Sequence, residues 1–374
     1  MSDLQPRTTR IFSQSDLLPL MLPTALTILA NLDDVSFAAE HRSQIIHTIN
    51  SDPTSTWVAA ESSRFKNTAY NKLMQDGAGI LNGLSVPNEN EAKLPIKTLL
   101  DLTIKTGITD IPDTFNTYMK WGPKCPIMAK IQDQSACGSC YAVSAASAAT
   151  DRYCIAKNGT EMPRLSEVDL MACCFTCKGS NGGCYGGTPS HCWDYMVQQG
   201  IASGGQYGDN SKCLEYPFPK CSHHINGTYP TCPVKTYTSP TCFWKCDSKS
   251  TSKVTYDQSQ AAHKFGVSYK VDANMQAIQK DLMAHGPVQA SMYLTAPFEV
   301  YKSGVFTTQS KAYIGMHAVK ITGWGIDNAT KMDYWLVQNS WNSEWGEEGY
   351  FRIERGTNML SIESGVVAGT LDKW

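Results

Sequence analysis

The sequence predicts an α+β protein built from two unlike lobes, and two patterns support that prediction. A run of small residues over 142–153 is typical of a helix packed closely against its neighbours. Nearer the C-terminus the apolar residues alternate, as at Val319 and Ile321, and a short apolar run follows over 334–337. A helical front half and a β-rich back half place the natural functional cleft between two lobes.

Composition excludes several classes of protein. The chain has 374 residues, with 32 Lys and Arg against 34 Asp and Glu and no basic run, so no nucleic-acid-binding surface is expected. No uninterrupted apolar stretch approaches the roughly 18 residues that cross a bilayer, so stable membrane insertion is not expected. The length accommodates two lobes plus an appendage.

The N-terminal part of the chain reads as a leader followed by that appendage. Residues 1–30 carry two arginines ahead of an apolar stretch and resemble a secretory signal segment, although Pro19 and Pro23 interrupt the stretch. Residues 31–110 contain an amphipathic helical stripe and a turn-rich stretch, and they are predicted to pack on a larger body. The spaced aromatic residues expected to anchor this segment on the larger body are Trp57, Phe65 and Tyr70.

All fourteen cysteines lie between Cys125 and Cys246. Such a cluster indicates either disulfides formed in an oxidising compartment or a metal site. Zinc over 173–184 is disfavoured because Cys173 and Cys174 are adjacent, which suits a tetrahedral site poorly. The Asn-x-Ser/Thr triplets, which favour the secretory pathway and are glycosylation candidates, begin at Asn158, Asn226 and Asn328.

The segment 134–142 admits two interpretations. Cys137 and Cys140 have the C-x-x-C spacing of a thioredoxin-type redox pair, but the flanking sequence lacks the βαβ pattern that such a pair needs. Alternatively Cys140 starts the predicted helix, whose N-terminus lowers the pKa of a thiol and so favours the thiolate. The second interpretation requires a histidine base from elsewhere in the chain.

Three separated motifs supply that histidine and its partners. They are Gln134-x5-Cys140, Gly315-Met316-His317-Ala318 and Gln338-Asn339-Ser340-Trp341. In this order they resemble the papain family of cysteine proteases, and within it the cathepsin B group, over residues 111–370. The resemblance implies the papain-like two-lobed fold, with a helical left lobe and a β-barrel-like right lobe.

The resemblance also implies a role for each motif residue. Cys140 is expected to be the nucleophile, held as a thiolate beside protonated His317. Asn339 would orient the imidazole, and Trp341 would shield that contact from water. Gln134 would donate its side-chain amide to the oxyanion. No metal or organic cofactor is implied.

A second distinctive segment covers residues 213–232 and contains the adjacent pair His223 and His224. A histidine pair between cysteines also suits a metal site. The segment resembles the occluding loop of the cathepsin B group, whose two histidines bind the C-terminal carboxylate of a substrate. That contact gives release of C-terminal dipeptides, and partly protonated imidazoles suit it at acidic pH.

The same resemblance implies six disulfides, which leave Cys140 and Cys192 unpaired. Cys192 is expected to be a small buried residue. The implied pairs are Cys125–Cys154, Cys137–Cys184, Cys173–Cys242, Cys174–Cys177, Cys213–Cys246 and Cys221–Cys232.

The chain departs from the family at several positions near the expected cleft. Tyr141 follows the nucleophile, where Trp is usual. Met316 stands where the cathepsin B group has Gly, and it is expected to narrow or line the specificity pocket. Gly186 and Gly187 keep the strip along which the substrate backbone passes. Gly365 replaces an acidic residue of the pocket floor, so hydrophobic substrate side chains are expected to be preferred over basic ones.

The loop over 213–232 is expected to be held by one latch, between Asp133 and His223. Tyr229 stands where the group has an arginine, opposite Glu344, so the second latch is lost. A loop that opens readily would favour cleavage inside substrate chains.

The sequence therefore predicts a cysteine peptidase zymogen that acts on peptides and proteins as an endopeptidase, with C-terminal dipeptide-releasing activity. Residues 31–110, which include the Thr56-Trp57 pair of the group's propeptide, are expected to block the cleft as an intramolecular inhibitor. Removal at acidic pH would leave a peptidase domain over 111–374. A monomer in a lysosome, an acidic vacuole or the extracellular space is expected. The alternative from another class is a catalytically poor binding protein, because two of the departures touch the site.

Overall fold

The structure is a computed structural model that describes residues 23–62, 65, 68–71, 96–97, 107–179, 182–222, 227–233 and 235–372. The helices of the described residues are α1 (Ala25–Ala30), α2 (Val35–Ser51), α3 (Thr117–Trp121), α4 (Cys140–Ala156), α5 (Pro189–Gln198), α6 (Tyr256–Ala262), α7 (Met275–His285) and α8 (Ala296–Glu299). Short 3₁₀ or π turns lie at Pro126–Ala129, Asp169–Cys173 and Met359–Ser361.

The strands fall into one large sheet and one small pair. They are β1 (Trp57–Ala59), β2 (Ile96–Lys97), β3 (Phe115–Asn116), β4 (Gly204–Gly205), β5 (Leu214–Glu215), β6 (Val267–Val271), β7 (Val288–Thr295), β8 (Tyr301–Phe306), β9 (Tyr313–Ile326), β10 (Asp333–Gln338), β11 (Tyr350–Glu354) and β12 (Gly365–Thr370). The large sheet has the order β1-β8-β11-β10-β9-β7-β12-β6-β2, with β3 paired to β9, while β4 pairs with β5.

The predicted α+β, two-lobed papain-like fold is confirmed, with one refinement of the β-rich lobe. Its strands form an open sheet whose ends are β1 and β2, and over the described residues the sheet does not close into a barrel. The longest strand, β9, pairs antiparallel with both β7 and β10 and therefore lies inside the sheet.

The helical lobe is built around α4. The run of small residues forms this helix as predicted, and nearly all of its side chains are buried because alanines and serines allow neighbours to approach closely. Its core joins Tyr141, Trp193 on α5 and most of the cysteines. Among the described residues no helix is both long and apolar enough to cross a bilayer.

Buried ion pairs connect α4 to the other lobe. Asp151 on α4 accepts from Lys320 Nζ at 2.6 Å, and Lys320 lies on β9 three residues after His317. Arg152, the next residue on α4, pairs with buried Asp281 on α7. These contacts fix the helix that begins at Cys140 relative to the strand that carries His317.

The N-terminal segment packs onto the β-rich lobe, as the sequence predicted for an appendage. Helix α2 begins at the N-cap Asp34, whose carboxylate accepts from Phe37 N at 3.0 Å. Strand β1 adds antiparallel to β8, and the side chains of Trp57, Phe65 and Tyr70 are buried in the core of the β-rich lobe. The segment therefore shares its core with the body of the protein.

Candidate active site

Cys140 is the first residue of α4, and its side chain is completely buried. Its Sγ lies 3.3 Å from the backbone N of Ala318, which donates to the sulfur. The partial positive charge of the helix N-terminus and this N–H both stabilise a thiolate. The thiol therefore lies beside the residue that follows His317.

His317 lies on β9 and is held by two neighbours. Its Nε2 is 2.8 Å from Asn339 Oδ1, and Trp341 stacks on the ring with centroids 4.9 Å apart. The same Asn339 oxygen accepts from Ser340 N at 2.7 Å, which fixes the orientation of the amide. With Nε2 directed at Asn339, Nδ1 is the ring nitrogen that must exchange a proton with the thiol.

Gln134 is fully buried in the loop that precedes α4. Its Oε1 accepts from Ser340 Oγ at 2.6 Å, and its Nε2 donates to the carbonyl of Cys137 at 2.9 Å. A primary amide carries two N–H donors, so one remains for an oxyanion after the bond to Cys137. The structure thus brings together all four residues predicted to carry the chemistry: Gln134, Cys140, His317 and Asn339.

One residue of the N-terminal segment packs against this site. Phe65, which is fully buried, packs edge-on against Trp341 with centroids 5.2 Å apart. Phe298 and Trp345 contact the other sides of Trp341. An aromatic cluster therefore shields the contact between His317 and Asn339, and part of it comes from the N-terminal segment.

Gly186 and Gly187 require glycine for two different reasons. Gly186 has φ +94° and donates to the carbonyl of Gly138 at 3.1 Å. A Cβ on Gly187 would lie 2.3 Å from the ring of Tyr141. Both glycines were expected to allow passage of the substrate backbone, whereas packing of Tyr141 by itself already requires glycine at 187.

Tyr141 takes the place of the usual Trp without opening a gap. Its ring is fully buried, and its hydroxyl donates to the carbonyl of Gly183 at 3.3 Å. Burial, with smaller effects from the nearby thiols of Cys192 and Cys140, raises the pKa of the Tyr141 hydroxyl well above its ordinary value. The side chain is therefore a neutral packing element under the nucleophile.

The residues predicted for the specificity pocket lie on β9 and β12, the two strands that flank β7. Met316 is opposite Tyr293 in the β7–β9 pair and is mostly buried. Gly365 is opposite Ser291 in the β7–β12 pair. A Cβ on Gly365 would lie 3.0 Å from the Ser291 Cβ and 3.4 Å from the Ser291 carbonyl oxygen, so a larger residue there would require β7 to shift by a few tenths of an ångström.

The structure pairs the cysteines in the same six disulfides that the resemblance implied, and Cys140 and Cys192 remain as thiols. Because Cys137 is bonded to Cys184, it does not form a redox pair with Cys140. Among the described residues no group of side chains could hold a metal ion.

The predicted loop is attached at its base by Asp133 and at its side by Glu344. Asp133 accepts from the backbone N of Cys221 at 3.0 Å. Glu344 accepts from Ser222 Oγ at 3.1 Å and also from the backbone N of Thr228. The expectation that a single latch holds the loop was therefore incomplete, because Glu344 also binds the loop, although the arginine is absent.

Six predicted positions remain, three residues of the loop and three glycosylation candidates. His223, His224 and Asn226 lie outside the described residues. The two described glycosylation candidates, Asn158 and Asn328, are exposed. Tyr229, at the position of the absent arginine, lies with its ring 5.5 Å from Lys220 Nζ.

Sequence reasoning missed the polar contacts that hold the N-terminal segment. Arg42 on α2 pairs with Glu299 on α8 at 2.8 Å, and both side chains are buried. His41 is buried beside it, with Nδ1 3.0 Å from the hydroxyl of Tyr70. Burial, and secondarily the charge of Arg42, lowers the pKa of His41 to about 4. The only sequence signal was that Arg42 falls on the apolar stripe of α2.

Comparison with known proteins gives four findings, which all point to the same family. The sequence model of the papain family cysteine proteases matches residues 111–370. A cathepsin B-like cysteine proteinase of Schistosoma japonicum is 40% identical over 330 residues, which cover 88% of this chain and 90% of that protein. Cathepsin B-like cysteine proteinase 4 of Caenorhabditis elegans is 44% identical over 262 residues, 69% of this chain and 75% of that protein. The solved structure of procathepsin B S9 from Trypanosoma congolense superposes with a TM-score of 0.70 at 30% identity, covering 88% of this chain and 97% of that one.

Proposed function

Because this chain belongs to the papain family of cysteine proteases, as a cathepsin B-like zymogen, we propose that Cys140 is its nucleophile and His317 its proton carrier. One arrangement carries the proposal. Cys140 Sγ lies 3.3 Å from the amide N of Ala318, and the adjacent His317 is fixed 2.8 Å from Asn339. A thiol at a helix N-terminus next to an oriented imidazole is the arrangement that nucleophilic catalysis requires.

The proposed reaction has two stages. The Cys140 thiolate attacks the peptide carbonyl, and the backbone N–H of Cys140 and the Gln134 amide stabilise the resulting oxyanion. The C–N bond then breaks, His317 gives its proton to the leaving amine, and a thioester remains. Water, deprotonated by His317, hydrolyses the thioester and restores the thiolate–imidazolium pair.

Acid activation of the full chain followed by hydrolysis of a Phe-Arg reporter peptide tests this proposal. We expect turnover that an epoxide reagent specific for cysteine proteases abolishes. Absence of turnover, after removal of the N-terminal segment is verified by mass, would favour the alternative of a catalytically poor binding protein.

Residues 31–110 are proposed to be the inhibitory propeptide and 111–374 the peptidase domain, with 1–30 as a leader. Packing of Phe65 on Trp341 supports inhibition, because Trp341 in turn stacks on His317 and the segment is therefore held against the proposed site. The disulfides support passage through an oxidising compartment, and we propose the secretory pathway, ending in an acidic organelle or outside the cell. The expected active species is a monomer.

His41 is expected to set the pH at which the propeptide is released. Its pKa is about 4 when docked and returns towards the ordinary 6.5 on release. Neutral His41 therefore stabilises the docked propeptide fully above about pH 6.5. This contribution is lost as the pH falls towards 4, because His41 binds a proton more tightly in the released form than in the docked form. Gln at position 41 can still bond to Tyr70 but cannot charge. We therefore expect His41→Gln to move the midpoint of acid processing down by about one pH unit.

A matched variant separates this effect from a general change in α2. His47 lies on the same helix and is exposed, so His47→Gln should leave the midpoint of processing unchanged. Equal midpoints for His41→Gln and the unmodified chain would show that His41 does not control release.

Gly365 is proposed to make the specificity pocket uncharged. We expect the enzyme to hydrolyse a Phe-Arg reporter faster than an Arg-Arg reporter, because a basic side chain finds no carboxylate at the pocket floor. Gly365→Glu should raise the ratio of Arg-Arg to Phe-Arg hydrolysis by about tenfold, since it supplies that carboxylate. Gly365→Gln is the neutral control. An Arg-Arg rate at least equal to the Phe-Arg rate in the unmodified enzyme would contradict the proposal.

The loop over 213–232 is proposed to combine internal cleavage with release of C-terminal dipeptides through His223 and His224. Glu344 attaches the side of the loop, and a single substitution there removes both of its hydrogen bonds. We expect Glu344→Ala to raise internal cleavage relative to dipeptide release by about fivefold, because a freed loop opens the cleft more often. Exposed Glu348→Ala is the control. An unchanged ratio, or dipeptide release that dominates near neutral pH in both proteins, would contradict the proposal.

A further inference from the structure

Three large aromatic side chains stand exposed together on the helical lobe, far along the chain from every residue of the proposed mechanism. Phe175 is 65% exposed, Phe243 74% and Trp244 51%. The rings of Phe175 and Trp244 have centroids 6.2 Å apart. We call these three residues the aromatic tip. Scattered exposed apolar residues are ordinary, but adjacent large aromatic rings on a soluble surface mark an interaction site.

Disulfides hold the aromatic tip rigidly. Phe243 and Trp244 lie between Cys242 and Cys246, which are bonded to two different parts of the lobe. Trp244 has φ +53°, a conformation that non-glycine residues rarely adopt, and its ring also packs edge-on against Tyr256 at 5.9 Å. The cross-links therefore restrict how far the backbone that carries Phe243 and Trp244 can move.

The partner cysteines hold Phe175 in the same place. Cys242 is bonded to Cys173, two residues before Phe175. The Lys178 ammonium lies 4.6 Å from the centre of the Phe175 ring and donates to the carbonyl of Ala172. The rings of Phe175 and Trp244 are thus positioned before any partner binds, and Phe243 adjoins Trp244 in the chain.

The chain around the tip is basic. Lys245, Lys249 and Lys253 are exposed, and the acidic residues within 241–257 are Asp247 and exposed Asp257. The Asp247 carboxylate accepts from the backbone N of Glu215 at 2.6 Å, which holds it against the lobe. The loop then returns to the tip, because the Cys246 sulfur contacts the carbonyl of exposed Val254 at 3.6 Å.

From this combination we propose that the aromatic tip and its three lysines bind the surface of an anionic lipid membrane. Aromatic rings favour the boundary between headgroups and acyl chains, and lysines beside them are attracted by anionic headgroups. The tip inserts only side chains, so the attachment is peripheral and reversible. It would hold the protease at a membrane whether or not the cleft is open.

Vesicle sedimentation of the full chain, kept intact by Cys140→Ser, tests this proposal. We expect binding to phosphatidylcholine vesicles that contain phosphatidylserine, little binding to phosphatidylcholine alone, and release by high salt. Phe243→Ser with Trp244→Ser should weaken binding by about tenfold. Tyr207→Ser removes another exposed ring, 57% exposed, and should leave binding unchanged.

A charge-matched pair of variants tests the lysines. Lys245→Glu with Lys253→Glu should weaken binding by at least about tenfold, whereas Lys311→Glu with Lys331→Glu changes the net charge equally and should have little effect. All four sites are exposed, so thermal unfolding should not change. Equal losses in the two charge variants would indicate attraction by net charge alone and overturn the assigned surface. Absence of binding to phosphatidylserine vesicles would overturn the proposal altogether.

Discussion

Cys140→Ser is expected to lower kcat/KM for a Phe-Arg reporter by at least about 10⁴-fold. A serine hydroxyl at this position would not ionise beside an imidazole whose other nitrogen is committed to Asn339. The variant cannot process itself, so its N-terminal segment should be removed by an added aspartic protease before the assay. Near-normal hydrolysis by the processed variant would remove the basis of the proposed mechanism.

Cys192→Ser is the matched control, because Cys192 is the second cysteine outside the disulfides among the described residues. It is fully buried in the helical lobe, and burial raises the pKa of its thiol well above the ordinary value. It is therefore a protonated packing residue. We expect the variant to keep kcat/KM within about threefold of the unmodified enzyme.

Arg42→Met is expected to release the propeptide at neutral pH. The variant leaves the buried Glu299 carboxylate without its cation, and breaking a buried pair in this way costs about 3–5 kcal/mol. We expect the rate at which an epoxide labels Cys140 in the uncleaved full chain to rise by about 100-fold or more, because labelling requires the cleft to open.

Two variants control for indirect effects of that substitution. Glu40→Gln removes a charge from the exposed face of α2 and should leave the labelling rate unchanged. Combining Arg42→Met with Glu299→Leu removes both charges and should restore much of the latency, since a buried pair can be replaced by apolar packing. Latency that survives in Arg42→Met would show that apolar contacts alone hold the propeptide.

Much of the site could be predicted from the sequence because its chemistry is carried by short motifs. Cys140 at a helix start, His317 on an alternating apolar strand and Asn339 before Trp341 are local patterns, and the fold only had to bring them together. The spaced aromatic residues Trp57 and Phe65 likewise marked a segment that needed a larger body to pack on.

Other features depend on contacts between distant parts of the chain, which no local pattern records. Arg42 and Glu299 are separated by 257 positions, and each by itself looks like an ordinary surface charge. Glu344 was expected to have lost its role with the missing arginine, yet it accepts hydrogen bonds from the loop instead. The need for glycine at 187 arises from the Tyr141 ring, which only the packed structure reveals.

The most direct test of the central claim is to map the site of covalent trapping. The acid-activated chain would be treated with the epoxide reagent, digested and analysed by mass spectrometry while residual activity is followed. We expect one label per molecule, on Cys140 and not on Cys192, with activity lost in proportion to labelling. Full activity with Cys140 labelled, or complete inactivation with Cys140 unmodified, would contradict it.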